Sequence, residues 1–321
     1  LSDLSLYYDR IELFTPHIKK LELSLNNISD IERLNRKLIL ESIHPHEQYN
    51  FYLSLEYSKK LFESCNNFYK FKKKNSIKNI KNIINYFKKT YNFENLSKYN
   101  LNQISESIFN KSVFKEVDNI QDEIDNILDY YKNDIEQLSL KIDPDFDSDT
   151  DTYIRLDFTE RDGYFYQTTK KRYQYFKSSE YNVKNQSSNV KLFSDKINSK
   201  LKKLISLKEK IKAVNKECFI KTLGTIYKKY NEIILDLIDD IAMIDYIKSN
   251  AKCAIEYNYK RPIVDNDKKL ILRGLRHPII ERLQSGIEYV KNDIDFEEQS
   301  GILLFGLNGV GKSSLMKAVG L

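Results

Sequence analysis

Apolar residues recur three or four positions apart over most of this chain, a spacing that gathers them on one face of a helix. Leu21, Leu25, Ile28, Ile31, Leu34 and Leu38 follow it and predict short helices over 1–43, closed by Pro45. Further helices are predicted over about 47–73 and 77–92, the second with Ile77, Ile80, Ile84 and Phe87 on one side and 72–75 as the turn between them. A longer helix is predicted from near 104. Its narrow stripe of Val117, Ile120, Ile124, Ile127, Tyr131, Ile135 and Leu138 is the pattern of a helix packed along one side, and Asp143-Pro144-Asp145 ends it. Residues 145–151 alternate Asp with Ser and Thr and predict a polar loop.

The period then changes. Tyr153, Ile154, Leu156 and Phe158 precede Asp162-Gly163, and Tyr164, Phe165, Tyr166, Thr168 and Thr169 follow it. Aromatic and β-branched residues around Asp-Gly predict a β-hairpin over 153–169. The Ser- and Asn-rich stretch 177–190 is expected to be loop. Helical spacing returns over about 191–255, through Ile197, Leu201, Leu204, Ile211, Leu223, Ile226, Tyr230, Ile234, Leu237, Ile241 and Ile244. An outgoing arm, a small β tip and a returning arm make an antiparallel lever pair, although the spacing alone favours an ordinary helical bundle. From 259 strands and turns are expected. The unbroken apolar run Gly301-Ile302-Leu303-Leu304-Phe305 has the character of a strand buried on both faces.

Composition narrows the class. Of the 321 residues 41% are hydrophobic and 31% charged, which fits helix with a large exposed surface. Nine glycines, five prolines and no tryptophan argue against an all-β fold. A net charge of +6 permits nucleic-acid binding without demonstrating it. Cys65, Cys218 and Cys253 are far apart, which points to an intracellular, reducing location and no disulfide framework. His44 and His46 flank Pro45 with no cysteine nearby, and are expected at a helix boundary rather than on zinc. Neither a membrane-spanning run nor a signal-peptide pattern is present, so no membrane partner is expected.

The sharpest chemical signal is Gly306-Leu307-Asn308-Gly309-Val310-Gly311-Lys312-Ser313, which matches the phosphate-loop pattern G-x4-G-K-[ST]. Glycines let backbone N–H groups turn inward around phosphates. Lys312 would reach the β- and γ-phosphates of ATP, and Ser313 would hold Mg²⁺. Ser314 continues into an expected helix whose N-terminus faces the anion. Tyr289, in Gly286-Ile287-Glu288-Tyr289-Val290, can stack on adenine or pack against a strand. His277 before Pro278 is expected to be structural. At the tip, Lys170, Lys171, Arg172 and Lys177 interleave with Tyr173, Tyr175 and Phe176. They can grip DNA phosphates or form a solvated face.

Taken together the pieces resemble the MutS family of DNA mismatch-repair ATPases over essentially the whole chain. Asn27-Ile28-Ser29-Asp30-Ile31-Glu32-Arg33-Leu34 with Arg36-Lys37 is similar to that family's core stretch, and Asp162-Gly163-Tyr164-Phe165-Tyr166 through Thr169-Lys170 to its clamp strand. Leu275-Arg276-His277-Pro278-Ile279-Ile280-Glu281, then Tyr289-Val290-Lys291-Asn292-Asp293-Ile294 and the loop, is similar to its ATPase entry. Val310 stands where the family commonly has Gly, and Leu307 where it commonly has Pro. Those departures point to a divergent branch, as in large DNA viruses and coral mitochondria.

The resemblance implies a mainly α fold. Core and outgoing lever helices would occupy 1–145, a β-rich clamp 146–190, returning lever helices 191–258, and the start of an ABC-type P-loop α/β ATPase domain 259–321. It implies Tyr289 as the adenine-stacking ring, a backbone-gripping clamp, mismatched double-stranded DNA as ligand, and a homodimer or a related MutS subunit as partner. Three Phe-x-Glu triplets, Phe114-Lys115-Glu116, Phe158-Thr159-Glu160 and Phe296-Glu297-Glu298, fall outside the family's mismatch-reading context and are expected to be chance. The chain does not begin with Met and ends eight residues after Ser313, so both ends are expected to be cuts in a longer protein. The Walker B carboxylate and signature loop would then lie elsewhere, and no catalytic residue is assigned. Two functions follow: part of a DNA-dependent ATPase of mismatch recognition, or a non-enzymatic DNA clamp or scaffold with a relic phosphate loop.

Overall fold

The computed structural model describes residues 2–148, 150–159, 162–178, 180–264, 266, 269–283, 288–297 and 301–321. The chain divides into two compact units, 9–259 and 1–8 with 260–321. It is mainly helical, with two small antiparallel sheets.

The helix α1 (Ser2–Phe14), which belongs to the larger unit from Asp9 on, leads through a 3₁₀ turn, Thr15–His17, into α2 (Ile18–Leu25) and α3 (Ile31–Ile39). Asp30 starts α3 by accepting the Arg33 backbone N–H at 2.9 Å. Leu21, Ile31 and Leu38 of the N-terminal apolar stripe are buried. Pro45 does not close this run: it opens α4 (Pro45–Cys65). A proline has no N–H to lose in the first turn, and the Glu47 carboxylate accepts the His44 N–H at 3.0 Å.

α4 also stops eight residues short of the expected end. Past Cys65 the chain turns so that Tyr69 Oη (3.1 Å) and the Lys72 N–H (3.0 Å) can donate to Asp240. Asp240 is buried, and desolvation pushes its carboxyl up, offset in part by these donors. Phe68 meets Phe14 edge-on at 5.1 Å and Phe71 stacks on Phe62 at 4.5 Å. Continuing the helix would forfeit these contacts.

α5 (Ser76–Thr90) buries Ile80, Ile83, Ile84 and Phe87, and α6 (Phe93–Lys98) follows. The long helix expected from 104 begins later, as α7 (Lys115–Leu140). Residues before it are held by side chains of other elements: Asn215 accepts the Ile108 N–H at 3.4 Å and donates to Glu106 O at 3.2 Å. Tyr91 and Phe109 form a bridge.

Beyond α7 come β1 (Arg155–Thr159), β2 (Gly163–Thr169), α8 (Lys170–Tyr173), β3 (Asn182–Asn185), β4 (Asn189–Phe193) and α9 (Asp195–Glu256). α9 is one helix of 62 residues. It runs antiparallel to α7, because later residues of α7 meet earlier ones of α9. Tyr131 Oη donates to Ile197 O at 2.7 Å, and Lys203 pairs with Glu123 at 2.8 Å. The predicted stripe lies between them, with Val117, Ile120, Ile124, Ile127, Tyr131 and Leu138 buried against a face that includes Ile197, Leu201, Leu204 and Ile211. Further along, α9 packs on α2, α3 and α5.

The hairpin predicted over 153–169 forms as β1 and β2, with Gly163 at φ +73° closing its turn. The stretch 177–190 is not all loop. β3 and β4 make a second hairpin there and give a four-stranded sheet of order β1-β2-β4-β3. Their polar residues conceal the pattern, yet Val190 and Leu192 alternate inward and are buried.

The smaller unit holds β5 (Ile271–Leu275), α10 (Ile280–Leu283), β6 (Asn292–Asp295) and α11 (Lys312–Gly320). β5 and β6 pair antiparallel. The buried strand expected at 301–305 is not formed. Leu303 and Phe305 are 87% and 86% exposed, and among the described residues no strand lies beside this segment. A strand is defined by its ladder, and without a neighbour an apolar run forms none. Among the described residues no helix is long and apolar enough to cross a membrane.

Candidate functional site

Two sets of predicted residues are placed, one in each unit. In the smaller unit Gly309 and Gly311 adopt φ +86° and +92°, the left-handed region that a β-carbon disfavours. This lets residues 306–311 curl tightly before Leu315 N–H bonds Gly311 O at 3.0 Å and starts α11. The Lys312 ammonium folds back over the curl and donates to Gly306 O (2.7 Å) and Leu307 O (2.6 Å). Leu307, Asn308, Val310 and Ser313 are exposed, and Ser314 is half-buried. A β-carbon on Gly306 would meet Val310 Cγ2 at 3.4 Å.

This arrangement fits a nucleotide phosphate. The curl leads into a helix N-terminus, and among the described residues its ammonium is held by neutral carbonyls alone, which a charged oxygen would outcompete. Ser313, the first-turn hydroxyl, is the residue that would hold Mg²⁺. Tyr289 is half-buried, and among the described residues no hydrogen bond or ring contact ties it to the loop. Gly286 and Ile287 before it lie outside the described residues, as do Asp149, Ser179, Glu160 and Glu298 of the segments singled out above. His277 is buried, its Nδ1 3.3 Å from both Ile279 N and Ile280 N, so it caps the start of α10.

The tip sheet belongs to the larger unit. Its registers assign faces. Leu156, Tyr166, Val190 and Leu192 share one, where Tyr166 is fully buried and donates from Oη to Asp134 of α7 at 2.7 Å. The opposite face carries Arg155, Gln167, Thr169, Lys191 and Lys184. Thr169 Oγ1 accepts the Arg172 N–H at 3.3 Å and opens α8. Lys170 and Lys171 are exposed on α8, Arg172 lies 4.3 Å from the Tyr153 ring centroid, and Lys177 is exposed beyond the buried Phe176. The four predicted cations therefore cluster on one short segment, and among the described residues Arg172 alone of them has its side chain against a partner.

The sequence pattern missed a charge cluster on the same face. Lys184 and Lys191 stand directly opposite in the β3–β4 ladder, where like charges repel. Asp162 resolves the conflict by accepting from Lys184 Nζ at 2.7 Å and Lys191 Nζ at 2.9 Å. These bonds, Lys184 first, pull its carboxyl down to about 2. Lys191 is 7% exposed, over the Phe165 ring at 4.0 Å. Asp162→Asn should therefore speed amide hydrogen exchange in β3 and β4 at neutral pH. In the unsubstituted chain the protection should persist above about 3.8 and fade as pH falls through about 2, because the folded carboxylate is the stabilised form. Equal exchange in the two proteins at neutral pH would contradict this role.

Comparison with known proteins gives the chain's relatives. A mutS homologue of Acanthamoeba polyphaga mimivirus, described as a putative DNA mismatch repair protein, is 27% identical over 98% of this chain and 34% of its own length. The DNA mismatch repair protein MutS of Thermotoga maritima is 37% identical over 37% of this chain and 15% of its own length. The chain's curated homologues are MutS-family mismatch-repair proteins. A mitochondrial mutS homologue of Sarcophyton glaucum is another, 34% identical over 37% of this chain and 12% of its own length. The chain thus spans about a third of the mimivirus MutS homologue and less of the others. No family model matches it.

Proposed function

We propose that this chain is the arm, tip and phosphate-loop portion of a MutS-type mismatch-repair protein. The tip sheet contacts the backbone of duplex DNA, mismatched DNA being the substrate of the whole protein. The loop binds ATP, and α7 and α9 serve as levers between the tip and the rest of the molecule. One observation carries this reading: two long antiparallel helices lead to and from a small sheet beside which Lys170, Lys171 and Lys177 stand exposed, in a chain that continues into a glycine-turned phosphate loop. The similarity to MutS proteins supports the same assignment.

On this reading the chain's residues divide the work. Backbone N–H groups of 309–313 orient the phosphates, and Lys312 exchanges two loop carbonyls for phosphate oxygens. Bound Mg²⁺ would neutralise charge between the β- and γ-phosphates, with Ser313 as its protein hydroxyl. Tyr289 stacks on the base. ATP binding would alter how two MutS subunits meet, and the arms would carry that change to clamps around the duplex. Such a coupling is a free energy shared between two sites, and it requires each ligand to prefer the same arrangement of the arms.

The DNA half is tested by reversing charge at the tip. Lys170→Glu, Lys171→Glu and Arg172→Glu together should lower duplex affinity at least roughly tenfold at low salt, and the loss should shrink as salt rises. Unchanged affinity in a folded triple variant would remove DNA contact from the tip.

A further inference from the structure

We propose that the tip sheet holds a specific phosphate-binding pocket formed by Arg155 and Arg172, separate from the exposed lysines beside it. The inference rests on the reading of the tip as the DNA-contacting element. It moves the anchoring position from a run of lysines to a shaped site.

A pocket of about 200 Å³ opens on the cationic face, walled in part by Arg155, Asp157, Gln167, Thr169, Asn189 and Arg172. The ladders account for this grouping. Arg155 is registered with Gln167, and Thr169 with Asn189, so all four point to the same side of three adjacent strands. Arg172 enters from α8, aligned by the Thr169 cap on its N–H and by the Tyr153 ring beneath its guanidinium. Among the described residues neither guanidinium has a carboxylate within ion-pair distance, and the lining contains a single acid, Asp157.

Two unpaired guanidiniums among hydroxyl and amide groups make a receptor for a tetrahedral oxyanion. Each fork can donate paired N–H bonds to two oxygens, while Thr169, Gln167 and Asn189 can donate to those that remain. Lys170, Lys171 and Lys177 stand in water. An exposed ammonium is strongly hydrated and its attraction is screened within about 8 Å at physiological salt. These lysines add field, whereas the two arginines add a position. The chemistry admits a phosphodiester of a nucleic-acid strand or free phosphate, and the pocket is assigned to the diester because the exposed Lys170, Lys171 and Lys177 continue positive charge past the space one anion fills.

The test uses the 321-residue chain and its Arg155→Gln variant. Arg155 is exposed on β1, and among the described residues its side chain makes no hydrogen bond or ion pair, so the variant should fold, which far-UV circular dichroism checks. Binding is measured by anisotropy of a fluorescein-labelled duplex of about 20 base pairs over a range of salt, and by calorimetric titration with inorganic phosphate. Arg155→Gln should weaken duplex binding about tenfold and lower the salt slope by about one, whereas Lys170→Ala with Lys177→Ala should cost only about twofold. If Arg155→Gln binds duplex as the parent does while the lysine variant loses it, the pocket is overturned and DNA contact by the tip survives. If the parent binds inorganic phosphate through Arg155 but no duplex, the diester assignment and the DNA reading both fall. Absence of binding to either probe overturns the pocket outright.

Discussion

Lys312→Ala should weaken ATP binding on the order of a hundredfold, the largest functional change expected from one substitution here. Hydrogen bonds to charged groups contribute about 1.5–3 kcal/mol each, and one ammonium can make more than one to a triphosphate. The starting state matters to the estimate. The ammonium already holds Gly306 O and Leu307 O, so the gain from phosphate is an exchange of neutral acceptors for charged ones. Removing it also leaves those carbonyls without this donor and loosens the curl that Gly309 and Gly311 set up. Titration with a fluorescent ATP analogue in the presence of Mg²⁺ measures the effect. Equal affinity in parent and variant would mean that the loop is not a nucleotide site, whatever its pattern.

The largest stability loss is expected from Phe219→Ala, about 3–5 kcal/mol by urea denaturation. Phe219 is fully buried at the middle of α9, with Tyr91 against it at 6.3 Å between ring centroids. Tyr91 is itself buried and shares a 2.7 Å hydrogen bond with Thr222, one turn further along α9. One ring therefore supports the end of α5 and the 106–109 segment held by Asn215. A cavity there cannot collapse without moving a helix, which places the cost in the upper part of the usual range. Phe158, half exposed on β1, is the natural control, and its replacement by Ala should be nearly silent. A loss below about 1 kcal/mol at Phe219 would show that this junction is not tightly packed.

Helices were the legible part of this sequence, because a buried stripe repeats at the helical period whatever the chain packs against. The stripe from Val117 to Leu138 and that from Ile197 to Ile244 are buried almost residue for residue. Starts and stops were less legible. The end of α4 at Cys65 depends on Asp240, 168 residues from the Lys72 N–H it accepts, and no local pattern carries that information. β3 and β4 were hidden because Asn182, Asn185 and Asn189 suit a loop equally well. Only cross-strand pairing makes strands of them. Residues 301–305 failed in the opposite direction: their apolarity describes a buried strand, but burial needs a neighbour that the described residues do not supply.

The candidate sites divide in the same way. The loop is contiguous, so Gly306, Lys312 and Ser313 were found from spacing alone. The tip's cationic face is assembled across strands, so Arg155, Lys184 and Lys191 could be grouped only once the register was known. One signal was available earlier. Two lysines flanking an Asn-rich turn, downstream of an Asp-Gly, fit a ladder in which one acid answers both.

The length of α9 has a mechanical consequence. A helix of 62 residues is a beam about 93 Å long, and a tilt of about 1° at one end displaces the other by about 1.6 Å. Proline is absent from it, and its single glycine, Gly224, lies shortly before Tyr230 and Asn231, which meet Tyr86 of α5 and Asn35 of α3. The first third, from Asp195 to about Asn215, is braced along its length chiefly by α7. Bending stiffness is therefore graded: the root is held by several helices, and the outer span, braced chiefly by one, is the more compliant part. A load applied at the sheet should therefore bend the outer span more than the root, and what is not taken up in bending is what the arms deliver.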